Sequence, residues 1–306
     1  MLHFRSQAIG WALSFFISLS LLSGASTAVA NEYELFSIGT DGLAHPVADY
    51  DAIVSSLKKG DVVRFTDGKS YRLTANLHDG QGSVSRIFSV KAPAGAALRL
   101  PRKSNPLFVE MINRSIDGSK ALAEAGVPVV SIQGSKRGEY LLVDQIKPGL
   151  IKADAFFREP DQVSRSVRKK MVSRLIEFAS TTAYFKHIGD FGLSQMAYDA
   201  FSDRWVLLDW TAGHEIPASQ ADSKNCFEHV FEPVLKNQNP SRKKWIESIR
   251  GKIDQAIREE RQKIQSDPFL LERLKRVEEQ VVRTPRASQA SFMNCMIFNM
   301  SHSIEF

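Results

Sequence analysis

Two carboxylates and an amide stand at offsets that could do chemistry. Asp190 follows a predicted amphipathic helix over Ser164 to His187, Gln195 comes five residues later, and Asp209 closes the apolar run Trp205-Val206-Leu207-Leu208. A carboxylate in a short glycine-containing loop can orient a hydroxyl or take its proton. An apolar strand that ends in a carboxylate needs a partner for that charge, and Mg2+ is the natural one. Gln195 carries a side-chain carbonyl oxygen of the kind a metal can use. The two acids stand nineteen residues apart with the amide between them.

Such residues need two kinds of element to hold them, and the chain changes character in the middle. Residues Asn31 to Gly68 are mixed, with a hairpin around Val62 to Tyr71 turned by Asp67-Gly68. They form either a small subdomain or extra strands on the next sheet. Tyr71 to Leu77 alternates apolar and polar as a half-buried strand does. Arg86 to Val90 and Ala96 to Leu100 follow as strands, joined through Pro93 to Gly95. A helix is predicted over Pro106 to Ala125, interrupted near Gly118, then strands from Gly126 to Val130 and from Glu139 to Val143. After a connector at Asp144 to Gly149 the pattern is mainly helical. Val167, Met171, Leu175 and Phe178 recur at three- and four-residue steps. Short strands at Met196 to Tyr198 and Trp205 to Leu208 precede helices over Phe227 to Leu235, Arg242 to Ile264 and Pro268 to Val282.

This order predicts an α+β, two-lobed molecule. Its parts are a leader at 1–30, an extension at 31–69, a strand-rich lobe at 70–145 and a helical lobe with a C-terminal helical extension at 146–306. Further candidates lie in the strand-rich lobe. Gly80, Gly82 and Ser85 form a glycine loop between two strands, which argues against a dinucleotide fold and leaves either an ordinary hairpin loop or one whose backbone amides cover phosphates. Ile87 begins the strand after it. Arg99, on the third strand, is a cation that could meet a phosphate; Lys91, in the same alternation phase as Ile87, is another. Glu110, in the following helix, is the candidate to pair with that cation, with Asp117 and Glu124 as competitors.

Composition narrows the class. The first thirty residues carry Arg5, an apolar run from Ala8 to Leu22 and Ala28-Val29-Ala30, the pattern of a cleaved secretory leader. Export to the periplasm or beyond, with delivery to a host or other recipient cell, is therefore expected. No later run approaches membrane-spanning length. The formal net charge of +6 is spread along the chain without the basic and aromatic clusters of a nucleic-acid binder. Cys226 and Cys295 are the two cysteines; they could pair after export or stay free.

Taken in order, the glycine hairpin, Ala96-Ala97-Leu98-Arg99, Gly126-Val127-Pro128-Val129, Asp190 with Gln195, and Leu207-Leu208-Asp209-Trp210 resemble the protein-kinase-like superfamily over Tyr71 to His214. The hairpin resembles protein kinases; Gly-Val-Pro-Val and Asp-Trp look more like the aminoglycoside-phosphotransferase branch. The resemblance implies ATP between two lobes, Mg2+ on Gln195 and Asp209, Asp190 as catalytic base, and transfer to a hydroxyl, most simply on a protein. The sequence departs from the family pattern with Arg99 for Lys, Gln195 for Asn and Ile188 for His. Those departures also fit an inactive relative, a pseudokinase that serves as a protein-binding module.

Overall fold

The computed structural model describes residues 30–77, 85–145, 150–188, 191–208, 223–236 and 238–282. Its N-terminal half runs β1 (Glu32–Glu34), β2 (Phe36–Ile38), β3 (Ala44–Pro46), α1 (Tyr50–Ser56), β4 (Val62–Arg64), β5 (Ser70–Asn76), β6 (Ser85–Val90), β7 (Ala96–Pro101), α2 (Pro106–Glu124), β8 (Ile132–Lys136) and β9 (Tyr140–Asp144). One sheet takes seven of these strands in the order β1-β4-β5-β6-β7-β9-β8. All its pairings are antiparallel except β1 with β4.

Of the segment 31–69, β1 and β4 add to this sheet, while β2 and β3 pair as a separate two-stranded sheet. The β4–β5 hairpin turns where predicted, with Gly68 at φ +80°, a conformation glycine adopts without a Cβ clash. The rest of the segment covers the outer face of the sheet. Leu35, Phe36, Tyr50 and Val54 pack in one core with Phe88, Leu98 and Leu142, and the Tyr50 hydroxyl donates to the Pro101 carbonyl at 2.8 Å. This cover explains why β7, Ala-Ala-Leu-Arg-Leu-Pro, is buried along its whole length: a strand packed on both faces reads as a continuous apolar run. The hairpin tip is also clasped from the far side of the sheet. Glu139, fully buried, accepts from the Thr66 backbone N–H at 2.9 Å and from the Thr66 hydroxyl, and the Tyr140 hydroxyl donates to Asp67 at 2.9 Å.

Helix α2 starts at Asn105, whose side chain accepts from the Leu107 N–H at 2.9 Å, with Pro106 in the first turn. It runs unbroken through Gly118, against the predicted interruption. Gly118 lies on the buried stripe with Met111, Ile112, Ile116 and Leu122, and burying that stripe outweighs the roughly 1 kcal/mol that a helical glycine costs. The predicted strand at 126–130 is displaced: β8 begins at Ile132. Val127 is buried in the core of the helical half. The Leu207 N–H donates to the Pro128 carbonyl at 2.9 Å and the Val130 N–H to the Leu207 carbonyl at 3.0 Å. The segment thus fastens one lobe to the other.

The second half runs β10 (Ile151–Lys152), α3 (Ala153–Arg158), α4 (Arg165–Thr181), β11 (Met196–Asp199), β12 (Arg204–Leu207), α5 (Glu232–Leu235), α6 (Pro240–Ser266) and α7 (Pro268–Val282), with a three-residue turn of 3-10 helix at Leu193–Gln195. Ser164 caps α4, which ends at Thr181, short of the predicted His187. The helix predicted over Phe227 to Leu235 is helical only from Glu232, because the Asn225 side chain takes the Phe227 N–H at 2.8 Å and starts turns instead. Met171, Leu175, Phe178, Trp205, Phe227, Ile249 and Ile253 share the core of this half. The molecule is a two-lobed α+β protein, as the sequence predicts: a sheet with one long helix between its third and fourth strands in sequence from β5, then a helical lobe carrying a small hairpin. Among the described residues no helix is long and apolar enough to cross a membrane.

Candidate functional site

The sheet presents one face to the helical lobe, and its register decides which side chains arrive there. Ile87 pairs with Arg99, and Ala97 pairs with Val143. Directly opposed residues of antiparallel strands share a face, so Ile87, Ala97, Arg99 and Val143 look the same way. They roof a cavity of about 440 Å³ between the lobes, together with Leu77 from the end of β5. Val130, Asp144 and Gln145 line it where the chain passes between lobes, and Lys152, Ser194, Gln195 and Leu208 form its floor. The floor is built by backbone pairing. The 3-10 turn delivers Gln195 at the entry to β11, β11 pairs with β12, and the Leu208 N–H donates to the Gln195 carbonyl at 2.7 Å.

Arg99 is 7% exposed. Its guanidinium donates to the Ser85 hydroxyl from Nε at 3.4 Å and Nη2 at 3.3 Å. Ser85 itself is buried as the first residue of β6, where it holds Arg99. The cavity therefore offers an apolar roof, a desolvated cation and a side-chain amide. That combination accepts a flat apolar ring against the sheet and an anionic group toward Arg99 and Gln195.

Of the predicted residues, Ile87, Arg99 and Gln195 line this cavity and Ser85 supports it. Lys91 does not: β6 ends at Val90, the alternation ends with it, and Lys91 is exposed at the turn. Glu110 pairs with Arg114, one turn along α2, at 3.3 Å and is half exposed, rather than with the cation of β7. It stands beside the buried stripe of Met111, Ile112 and Ser115, since each residue advances about 100° around a helix. Asp117 pairs with Arg137 at 2.6 Å. Gly80, Gly82, Asp190 and Asp209 lie outside the described residues, as does Cys295. Cys226 donates its thiol to the Phe185 carbonyl at 3.2 Å, and burial pushes that thiol up.

The sequence reading missed Lys152, Ala97 and the pair Asp144 and Gln145 as lining residues. Ala97 had a signal, being a small residue two before Arg99 on the same face. Lys152 had none, because only the pairing of β10 with β11 carries it to the cleft. Among the described residues, no group of three or more His, Cys, Asp or Glu side chains is placed to hold a metal.

No family model matches the chain, and no curated protein matches it. Among solved structures it is similar to vaccinia related kinase 3, at 14% sequence identity and a TM-score of 0.36, over 82% of this chain and 96% of that one.

Proposed function

We propose that the protein is an exported ATP-dependent phosphotransferase that moves the γ-phosphate of ATP to a hydroxyl, with a protein as acceptor. One observation carries this reading: Arg99 of the sheet lobe and Gln195 of the helical lobe line a single cavity under an apolar roof. Leu77, Ile87 and Ala97 would enclose the base and exclude water. Arg99 would neutralise phosphate oxygens where its charge is least screened, and the backbone of Gly80 and Gly82 would cover them. Mg2+ is a hard cation that prefers oxygen ligands; Gln195, which lines the cavity, and Asp209, which follows Leu208 in sequence, would hold it. Bound there, Mg2+ would supply charge neutralisation for the phosphates. Asp190 would orient the acceptor hydroxyl and take its proton.

Thermal unfolding in ATP and Mg2+ tests the reading. Ligand that binds the folded state alone stabilises it by about 2.7 kcal/mol at a hundredfold excess over Kd. Wild type should show a Mg2+-dependent rise in Tm that Asp209→Ala lacks, and Asp190→Ala should bind ATP yet transfer no phosphate. Absence of any shift in wild type would sink the reading. A second reading, a pseudokinase that binds partners, is favoured by the Arg99–Ser85 hydrogen bonds: part of the cation's bonding is committed to the sheet. It requires nucleotide binding without turnover, or no binding at all.

A further inference from the structure

A second concavity lies in the helical lobe, between α4 and α6, with a volume of about 630 Å³ and no lining residue in common with the cleft. Its floor is apolar: Val172 and Ile176 come from α4, Trp245 and Ile249 from α6. Its rim is cationic, with Arg165 and Lys169 on one side and Lys252 on the other. On each helix these residues recur at steps of three and four, so they form continuous stripes. The floor and rim repeat the pattern of an amphipathic partner in reverse.

Carboxylates near the groove are committed elsewhere. Asp161 holds Arg168 at 2.6 Å and Arg242 at 3.2 Å, tying the start of α4 to the start of α6 and closing that end. Glu177, the one acid within α4, is taken by Arg174 at 2.6 Å. Arg165, Lys169 and Lys252 have no carboxylate partner among the described residues. Three cations held around an apolar floor repel one another until something supplies negative charge, and an apolar floor has no use for a bare polyanion.

We propose that this groove docks an acidic amphipathic helix of a protein partner, its aliphatic stripe on the partly exposed Val172, Ile176 and Trp245 and its carboxylates on Arg165, Lys169 and Lys252. The site does not depend on the phosphotransferase reading. Helix-in-groove recognition uses anchors at this spacing, and complementary charge sets partner choice and encounter rate. Nucleic acid is disfavoured because the groove holds a single aromatic ring, Trp245, which also packs on Phe156 and Phe157 at 5.9 and 5.7 Å between centroids, where a run of bases needs several rings to stack on. A bilayer is disfavoured because the charges ring a concavity, where a lipid surface cannot follow.

The test is selection of a displayed library of 16-residue helical peptides on the full chain, with removal of those that also bind the Lys169→Glu/Lys252→Glu variant. Enriched peptides should carry Asp or Glu and aliphatic residues at steps of three and four. A synthetic one should lose at least tenfold in affinity on the charge-reversed protein and on Ser248→Glu, another exposed position in the groove. It should keep its affinity on Lys169→Arg/Lys252→Arg. Unchanged melting temperatures would show that the variants fold. Enriched peptides without this pattern, equal binding to the charge-reversed protein, or displacement of the peptide by single-stranded DNA or phosphatidylserine vesicles would overturn the proposal.

Discussion

At position 99 the chain places a guanidinium where the kinase pattern that its sequence resembles has an ammonium, and the two differ in physical character. A planar fork spreads its hydrogen bonds, and here Nε and Nη2 both reach Ser85; an ammonium is a compact point charge. If Arg99 supplies charge to a developing phosphate, Arg99→Met should lower kcat/KM for ATP by about 10²-fold, the usual cost of one lost stabilising donor. Arg99→Lys should lose less, since it keeps a charge in the same desolvated cavity. Equal loss in both, read from steady-state kinetics, would assign Arg99 to the architecture of the sheet. The residue scale is also where sequence reading was most uneven. Ile87 and Arg99 were legible because alternation along a strand sets a face. Lys91 and Glu110 were not, because a strand end and a helix rotation of 100° are decided by packing.

Between elements, two polar ties can be tested. Asp203, at φ +52° in the β11–β12 turn, receives Arg174 at 2.8 Å, Lys170 at 3.1 Å and the Tyr198 hydroxyl at 2.5 Å. The Arg174 guanidinium first, then Tyr198 and Lys170, hold its carboxyl far below the usual carboxylate range. A folded-state pKa below the unfolded one means stability that is complete above the unfolded value, about 3.9, and is lost as pH falls through the folded value. Asp203→Asn keeps a residue that tolerates positive φ, so its Tm deficit should be full at pH 7 and shrink below about pH 4; a gap independent of pH would contradict this. The other tie is Thr66 on Glu139. Thr66→Val removes the hydroxyl donor from a buried carboxylate and should cost about 1–3 kcal/mol in chemical denaturation, whereas an exposed threonine would cost far less. The elements themselves were largely legible, since β5, β6, β7 and α7 fall close to their predicted spans. The misread ones had competing tertiary partners, as at Pro128 and Val130, which bond β12, and at Asn225, which turns the chain before α5.

Seen as a whole, the molecule is bound together by segments from its two ends. The 31–69 segment seals the outer face of the sheet, and α7 packs against both α2 and α6, with Leu274 and Val277 buried in the same core as Ala121 and Leu122 of α2. The C-terminal helix is therefore part of the fold that positions α2. Leu274→Ala should destabilise the protein by about 2–5 kcal/mol, the range for a leucine lost from a packed core, measured by denaturant unfolding; a cost under about 1 kcal/mol would mean that α7 rests on the surface. By itself the sequence determined the two-lobed α+β order, the strands that flank the glycine loop, and the local offsets of Gln195 and Arg99, because hydrophobic periodicity and turn chemistry act over a few residues. Only the tertiary structure decided that Arg99 and Gln195 meet across one cavity, that Lys152 joins them, and that α4 and α6 leave a cationic groove. These depend on sheet register and helix rotation, which are fixed when distant apolar faces are buried together and leave no local trace in the chain.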